Sequence, residues 1–386
     1  MQVYLDYSAT TPCRPEAIAA LTESLAQGWG NPSSLHEWGK RAAFAVEQAR
    51  WQVAQLVNAP SADAMVFTSG GTESNNLALL GVARTFSQPQ HLIISSVEHP
   101  AIAQTAAILE QQGWQVTSLP VNAYGRVNPE DLRAALQPNT VLVSIIYGQS
   151  EVGTLQPIEA LGTIAQSVGA LFHTDAVQVA GRVPLDVEAL PVDLMSLSSH
   201  KIYGPQGIGA LYIKPGTAIQ AMGGGGGQER GLRSGTPAVA LISAFGVAAD
   251  CALKEIETEP ERLRGLRDRL LTQLQDLTVL KLTGDPHHRL PHHASFCLMT
   301  AQPVSGRELV KQMNAAGIGV SAGSACHSGK LQPSPILTAM GYESTLAQSG
   351  LRMTLGQATT LEDIDWVAEV LRQIVTRSMS KTVSRV

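Results

Sequence analysis

The sequence predicts an α/β protein with a large, mainly parallel mixed sheet that helices cover on both faces, followed by a smaller α+β unit. Short apolar segments alternate with amphipathic ones from about residue 60 to residue 215, as strands and crossover helices do. Hydrophobic residues make up 44% of the 386 residues and charged residues only 15%, so the chain can bury a large interior. Beyond about residue 257 the regular alternation stops, which indicates a second unit.

In the first unit, strands and helices are predicted almost in strict alternation. The strand segments are AMVFTS, HLIISS, WQVTSLP, TVLVSIIY, ALFHTDA, VDLMSLSS and IGALYIK. The helix segments are TESNNLALLGVAR, PAIAQTAAILEQQG, PEDLRAALQP and IEALGTIAQSVG. A glycine-rich segment, residues 223–237, interrupts this pattern and precedes a long apolar helix at 238–257.

The second unit begins after the charged, proline-containing segment ETEPERLRG, which is expected to be a hinge. Its predicted helices cover residues 261–276, 306–316 and 361–377. Its predicted strands cover residues 278–282, 294–299 and 350–355, with a loop at about 321–335. This mixed order is typical of a small α+β domain.

Composition argues against two classes of partner. A formal net charge of −5 provides no basic surface for nucleic acid. The longest apolar-rich segment has 12 residues, too few to span a membrane, and the N-terminus lacks a secretion signal. Widely separated cysteines favour free thiols in a reducing cytoplasm. They are Cys13, Cys251, Cys297 and Cys326, of which the first three are expected to take no part in chemistry.

Polar side chains follow several predicted strands at their carboxyl ends, where doubly wound sheets bind ligands. They are Gly71 and Thr72 after the first strand, His99 after the second, Asp175 and Gln178, and finally Ser198, His200 and Lys201. Taken singly, each of these residues can also have an ordinary structural role instead of binding a ligand. Thr72 and Asp175 can cap helices, and His99 can be an exposed or hydrogen-bonded histidine.

Lys201 is isolated, because no other lysine occurs between Lys40 and Lys201. A lysine, a carboxylate, a histidine and a Gly-Gly turn at the edge of one sheet suit pyridoxal phosphate (PLP). The lysine would hold the cofactor as a Schiff base, and the carboxylate would pair with the pyridinium nitrogen. The turn would bind the phosphate at a helix N-terminus.

Nine motifs extend this interpretation along nearly the whole chain. They are YLDYSATTP, GNPSSLH, TSGGTESNN, SSVEHPAI, EVGTLQPI, HTDAVQ, SSHKIYGPQGIGALYI, GGGQERGLRSGT and SAGSACHSGKLQPSPIL. In this order they resemble the cysteine desulfurases of the class-V-aminotransferase-like, fold-type-I PLP family, in the branch with an extended cysteine loop. The resemblance implies a large PLP-binding domain over residues 12–257. Residues 1–11 and 258–386 would form the small domain, which carries the cysteine loop at about 321–335.

The resemblance also implies roles around the cofactor ring. Lys201 would bind the cofactor covalently, and Asp175 would keep the ring nitrogen protonated. Gln178 would lie near the phenolic oxygen, while His99 would stack on the ring and move protons. Arg352 would bind the α-carboxylate of the substrate as a fork.

The phosphate of the cofactor would be held by residues from two subunits. Gly71, Thr72, Ser198 and His200 would bind it within one subunit. Thr236 would reach the phosphate in the neighbouring subunit. The resemblance therefore implies a homodimer.

Cys326 would carry the sulfur chemistry, because the family uses a cysteine here as the nucleophile. A Gly- and Ser-rich loop would let the thiol reach the cofactor and carry a persulfide away. Lowering a thiol pKa of about 8.5 by one unit raises the thiolate fraction at pH 7 from a few per cent to roughly a quarter. A nearby imidazole, His327 or His99, could do this. The alternative, a small buried residue, is disfavoured by the Gly, Ser and His neighbours.

The chain departs from the family pattern near the motif EVGT. The family has an Asn-Asn pair there, where this chain has Gln149 and Ser150. The second asparagine contacts the phenolic oxygen and the substrate carboxylate. Ser150 keeps one hydroxyl at the cofactor, so one contact is expected to be lost or bridged by water. Ala238 also replaces an asparagine that many members have.

Four histidines in the segment DPHHRLPHH raise the question of a metal site. Adjacent histidines in a proline-rich turn are expected to face solvent, so no metal is predicted. They are His287, His288, His292 and His293.

The expected reaction converts L-cysteine to L-alanine. The persulfide on Cys326 would pass to an iron–sulfur scaffold or a tRNA-thiolation protein. Two alternatives share the fold: a selenocysteine lyase, and a cysteine or cystine lyase that releases pyruvate. An alternative of another class is a non-catalytic sulfur-relay docking protein. The intact Lys201, Asp175, His99 and Arg352 argue against it.

Overall fold

The computed structural model describes residues 2–300, 304–323 and 332–383, with side chains up to residue 377. Its strands are β1 (Val3–Tyr4), β2 (Met65–Thr68), β3 (His91–Ser95), β4 (Gln115–Leu119), β5 (Thr140–Ile146), β6 (Leu171–Asp175), β7 (Leu194–Ser198), β8 (Gly209–Ile213), β9 (Leu280–Leu282), β10 (His293–Leu298), β11 (Ile318–Gly319) and β12 (Gly350–Thr354). Its helices are α1 (Pro15–Gln27), α2 (Glu37–Leu56), α3 (Gly71–Ala83), α4 (Pro100–Gln111), α5 (Pro129–Ala135), α6 (Ile158–Ser167), α7 (Val239–Glu255), α8 (Glu259–Leu274), α9 (Gly306–Ala315), α10 (Pro335–Ala339), α11 (Ser344–Ala347) and α12 (Leu361–Val383).

The large sheet has seven strands in the order β2-β8-β7-β6-β5-β3-β4. Strands β3, β4, β5, β6 and β7 pair in parallel. Strand β8 runs antiparallel to its neighbours β2 and β7. The sheet is therefore mixed and mainly parallel, as the alternation of elements predicted. The carboxyl ends of β3, β5, β6 and β7 lie at the same edge.

Helices cover both faces of this sheet, because successive strand residues point to opposite sides. Val143 on β5 packs into the core covered by α2, α6 and α7. Its neighbour Leu142 packs into the core beneath α3 and α4. The prediction of helices on both faces is confirmed.

The second unit contains the antiparallel sheet β12-β10-β9 and the parallel pair β1–β11. Helices α8, α9 and α12 pack on these strands and form a separate apolar core. Val3 and Leu5 belong to this core, so the N-terminal residues pack with the C-terminal third of the chain.

The predicted elements of the second unit are present, with end shifts of up to two residues and a longer last helix. The helix expected over 261–276 is Glu259–Leu274, and the strand expected over 278–282 is the shorter Leu280–Leu282. The last helix, expected over 361–377, is Leu361–Val383. In the described residue ranges no helix is long and apolar enough to cross a membrane.

Candidate active site

Lys201 lies in a short 3₁₀ turn that follows β7 directly. Its Nζ donates to the carbonyl oxygens of Ser8 and Ala9, at 2.5 and 2.7 Å. Burial, and then the nearby Arg352 and Arg182 guanidinium groups, lower the pKa of Lys201 to about 7. The amine is therefore held in place and is close to half neutral at physiological pH.

Asp175 is the last residue of β6, the strand next to β7. Its Oδ2 accepts from Asn75 Nδ2 at 2.7 Å, and its Oδ1 accepts from Val177 N at 3.0 Å. The side chains of Asp175 and Asn75 are both buried. The carboxylate therefore has a fixed orientation at the carboxyl edge of the sheet, on the face that α3 covers.

The Gly-Gly turn before α3 lies against the end of β7. Gly70, with φ of +153°, is the N-cap of α3, so the alternative in which Thr72 caps this helix is wrong. Thr72 lies two residues further on and is exposed. A Cβ at Gly71 would lie 3.5 Å from Ser198 Cβ and only 2.7 Å from Val177 Cγ2. The structure thus brings the first helical turn of α3 close to Ser198.

Three further predicted residues surround this edge in different ways. His99 is the N-cap of α4, is exposed, and accepts from Ala101 N through Nδ1 at 3.1 Å. His200 is 3.1 Å from Thr10 Oγ1 through Nδ1, and burial together with Lys201 lowers its pKa to about 4. Gln178 donates through Nε2 to the Ser8 carbonyl at 2.9 Å.

Arg352 reaches the site from β12 in the second unit. Its Nη2 contacts Asp6 Oδ1 at 2.7 Å, and its Nη1 donates to the Ser150 carbonyl at 3.0 Å. Its Nε is buried and has no hydrogen-bond partner among the described residues. The guanidinium is therefore oriented on two sides, and each of its terminal nitrogens keeps a second N–H.

Among the described residues, the predicted Thr236 is not brought to this cluster. Thr236 is exposed at the end of the glycine-rich segment. That segment is fastened to the large sheet by Glu229, whose carboxylate pairs with Arg50 and accepts from Phe67 N. Cys326 and its neighbour His327 lie outside the described residues.

The prediction that the four histidines face solvent is correct for two of them and wrong for the other two. His287 and His288 are exposed, but His292 and His293 have exposed fractions of 0%. The reason is that His293 begins β10 and pairs with Thr354 of β12. Among the described residues, no three His, Cys, Asp or Glu side chains are grouped as metal ligands.

Sequence reasoning missed several residues that support the site. Asn75 holds Asp175, Asp6 holds Arg352, and the carbonyl of Ser8 holds Lys201. Their signal was present, because Asn75 lies in the motif TSGGTESNN and the other two in YLDYSATTP. Spacing alone could not show which partner each would meet.

Glu98 is a further buried carboxyl beside His99. Its Oε1 accepts from Ser95 Oγ at 2.5 Å and from Ile146 N at 2.9 Å. Burial raises the pKa of Glu98 to about 8. It is therefore mainly protonated at pH 7 and joins the end of β3 to the end of β5.

The geometry first defines a class of protein. A lysine of depressed pKa, a buried carboxylate on the neighbouring strand and a Gly-Gly helix start suit Schiff-base chemistry on a phosphorylated ligand. The comparisons with known proteins define the family: the chain belongs to the aminotransferase class-V family, whose model matches residues 3–367.

Its relatives include cysteine desulfurases over nearly the full length. Cysteine desulfurase IscS of Dictyoglomus turgidum is 43% identical over 376 residues, which cover 97% of this chain and 94% of that protein. The IscS of Methanosarcina thermophila is 44% identical over 374 residues, covering 97% and 92%. A solved NifS-like protein has a TM-score of 0.90 and 34% identity, covering 97% of this chain and 100% of that chain. The predicted family and fold class are confirmed.

Proposed function

We propose that this chain is a PLP-dependent cysteine desulfurase that converts L-cysteine to L-alanine and takes the sulfur as a persulfide on Cys326. The observation that carries the proposal is Lys201. It is a lysine with a pKa of about 7, beside the buried Asp175, at the sheet edge of a chain homologous to cysteine desulfurases. Such an amine can react with an aldehyde at neutral pH.

The residues present fit PLP. Two buried polar atoms at this edge, Ser198 Oγ and Gln178 Oε1, have no hydrogen-bond partner among the described residues, as expected of groups that await a ligand. Gly71 lets the start of α3, where free N–H groups suit a phosphate, lie close to Val177 and Ser198. When bound, PLP would supply an electron sink for the carbanion that forms at the substrate Cα.

Within one subunit we assign the phosphate to Gly71, Thr72, Ser198 and His200. We assign Thr236 to the phosphate of a neighbouring subunit, so the proposed enzyme is a homodimer. Its exposed position on an anchored segment is compatible with a partner outside its own subunit.

Asp175, Gln178 and the Ser150 hydroxyl would orient the ring of PLP. Asp175 is suited to a protonated ring nitrogen, because Asn75 and Val177 hold its two oxygens in place. The exposed imidazole of His99 would stack on the ring.

Proton transfer at the substrate Cα is assigned to Lys201 or His99. The low pKa of Lys201 leaves its Nζ able to accept a proton and to return it near pH 7. His99 offers Nε2, since its Nδ1 already accepts from Ala101 N.

Arg352 would bind the substrate α-carboxylate. Asp6 and the Ser150 carbonyl already orient its two terminal nitrogens. Nη1 and Nη2 each keep a second N–H for a substrate carboxylate, and Nη2 frees its first when that carboxylate competes with Asp6.

The sulfur step belongs to Cys326. Its thiolate would attack the substrate sulfur, so that a sulfur–sulfur bond forms while the carbon–sulfur bond breaks. The bonding electrons stay on the substrate carbon, which gains a proton and leaves as L-alanine. The persulfide would then pass to an iron–sulfur scaffold or a tRNA-thiolation protein.

The remaining parts of the assignment concern organisation. We propose a large domain of residues 12–257 and a small domain of residues 1–11 and 258–386. We place the enzyme in a reducing cytoplasm, because persulfide transfer requires reduced thiols.

The test is incubation of the purified protein with L-cysteine and a reductant, with alanine, pyruvate and sulfide all quantified. Cys326→Ala is compared with Cys13→Ala as the matched control. Alanine equal to sulfide, lost in Cys326→Ala only, is the expected result. Pyruvate, or an active Cys326→Ala, would favour a lyase instead. A protein that binds no PLP and releases no alanine would favour a sulfur-relay docking protein.

A further inference from the structure

His292 and His293 form a buried pair behind the candidate active site. Their exposed fractions are 0%, and their rings lie 6.2 Å apart at an angle of 87°. Each ring bonds through Nε2 to a different segment that holds a site residue. The pair therefore connects to two segments of the candidate site as well as filling space in the core.

His293 contacts the segment that orients Arg352. Its Nε2 is 3.2 Å from the Ser150 carbonyl oxygen, which also accepts from Arg352 Nη1 at 3.0 Å. A carbonyl oxygen only accepts, so His293 Nε2 must carry the proton and donate it. The two donors use both lone pairs of this oxygen and hold it between the imidazole and the guanidinium.

The other side of the His293 ring is closed. A Cβ on Gly153, whose φ is +79°, would lie 2.6 Å from His293 Nδ1. That Nδ1 is buried and has no partner among the described residues. The described residues place no acceptor there for a second ring proton, and burial lowers the pKa of His293 well below its usual value. The ring therefore stays a neutral donor and adds no charge beside Arg352.

His292 contacts the segment that holds Lys201. Its Nε2 lies 3.2 Å from Ser8 Oγ. The carbonyl of the same residue accepts from Lys201 Nζ at 2.5 Å and from Gln178 Nε2 at 2.9 Å. Ser8 N donates to Thr354 Oγ1 at 2.9 Å. His292 thus contacts the side chain of Ser8, and the carbonyl of Ser8 accepts the hydrogen bond from Lys201.

We propose that His292 and His293 are a pair of positioning residues, one for each end of the site. His293 positions Arg352 through the Ser150 carbonyl and so sets the affinity for the substrate carboxylate. His292 positions Lys201 through Ser8 and so sets the retention of PLP. The inference rests on the proposed function, because it assigns the carboxylate and the cofactor to these two ends.

The first test replaces His293 by Leu, which removes the donor, and by Gln, whose amide nitrogen can donate in its place. The exposed His287→Leu is the matched control. Binding of L-alanine to the holoenzyme is measured by calorimetry, and KM and kcat for L-cysteine by alanine formation. His293→Leu is expected to raise the Kd for L-alanine and the KM about tenfold, with kcat changed less than about threefold. His293→Gln is expected to recover most of the affinity.

The second test makes the same replacements at His292. His292→Leu is expected to speed the loss of PLP on dialysis about fivefold, followed by absorbance, while the Kd for L-alanine of the reloaded protein stays within about twofold. His292→Gln is expected to restore retention of PLP. The two sites thus separate into a cofactor effect and a carboxylate effect.

A merely structural role predicts a different result. Three results would overturn the proposal. They are equal losses of PLP retention and of L-alanine affinity at both positions, no recovery of either in the Gln variants, and Leu variants that equal the wild type in both. Thermal unfolding of each variant checks the fold, and His293→Met or His292→Met replaces a Leu variant that does not fold. A wild-type protein that makes no alanine would instead refute the proposed function, while the calorimetric comparison still tests the pair.

Discussion

The amine of Lys201 should change its protonation near pH 7 in the apoprotein. Burial removes water from the charged form, and Arg352 and Arg182 repel it, so its pKa falls from 10.5 to about 7. Because a neutral amine reacts and an ammonium does not, the reactivity of Lys201 is expected to rise with pH and to level off above about pH 8.

The size of the effect follows from the two pKa values. At pH 7 an amine with a pKa of 10.5 is only about 0.03% neutral, whereas one with a pKa of about 7 is about half neutral. The environment therefore raises the neutral fraction about 1,500-fold at this pH.

The assay is trace labelling with acetic anhydride over pH 5 to 11, with the Lys201 peptide quantified by mass spectrometry. The exposed Lys40 in the same sample is the internal reference for the reactivity of the reagent. Arg352→Gln removes a neighbouring positive charge and should raise the midpoint by roughly 0.5 to 1 unit. Arg352→Lys keeps the charge and should leave the midpoint nearly unchanged.

Two results would refute this reasoning. A midpoint of about pH 9 or above would mean that Lys201 is hydrated in solution, so that burial does not act on it. An unchanged midpoint in Arg352→Gln would mean that the guanidinium does not act on the amine electrostatically.

Three other changes test the support of the site. Glu229→Gln should lower the free energy of unfolding in urea by about 3 kcal/mol, because the pair with Arg50 is 5% exposed on both sides; a loss below about 1 kcal/mol would contradict this. Ser150→Asn should leave PLP binding intact and change kcat/KM for L-cysteine about tenfold; unchanged steady-state kinetics would show that this position does not affect catalysis. Gly71→Ala would place a Cβ 2.7 Å from Val177 Cγ2 and should weaken PLP binding about tenfold in a fluorescence titration. Adding Val177→Ala should restore it, and no recovery would show that the clash is not the cause.

The fold was accessible from sequence wherever the hydrophobic pattern was regular. Buried parallel strands such as β5 and β6 are short apolar segments bounded by polar residues, so their type and order could be predicted. Helices α1 and α2 lie outside this alternation and were not predicted, although both pack on α7. Most element ends shifted by one to three residues, because caps depend on local geometry, as Gly70 at α3 illustrates. The last helix ends six residues later than expected.

The histidine segment shows where composition misleads. Prolines and adjacent histidines are typical of an exposed turn, and His287 and His288 are exposed. His293 is buried because its backbone pairs with β12 and its ring packs on Gly153. Burial of this kind depends on partners far along the chain, so a local pattern could not predict it.

The order of residues was enough to place Lys201, Asp175 and Gly71 at one edge, because the carboxyl ends of parallel strands meet there. Folding was needed to bring Asp6 to Arg352, a contact across 346 residues, and to bring the Ser8 carbonyl to Lys201. The physical reason is that periodicity reports which face of an element is buried, whereas hydrogen-bond partners and pKa shifts depend on distance and desolvation in the folded chain.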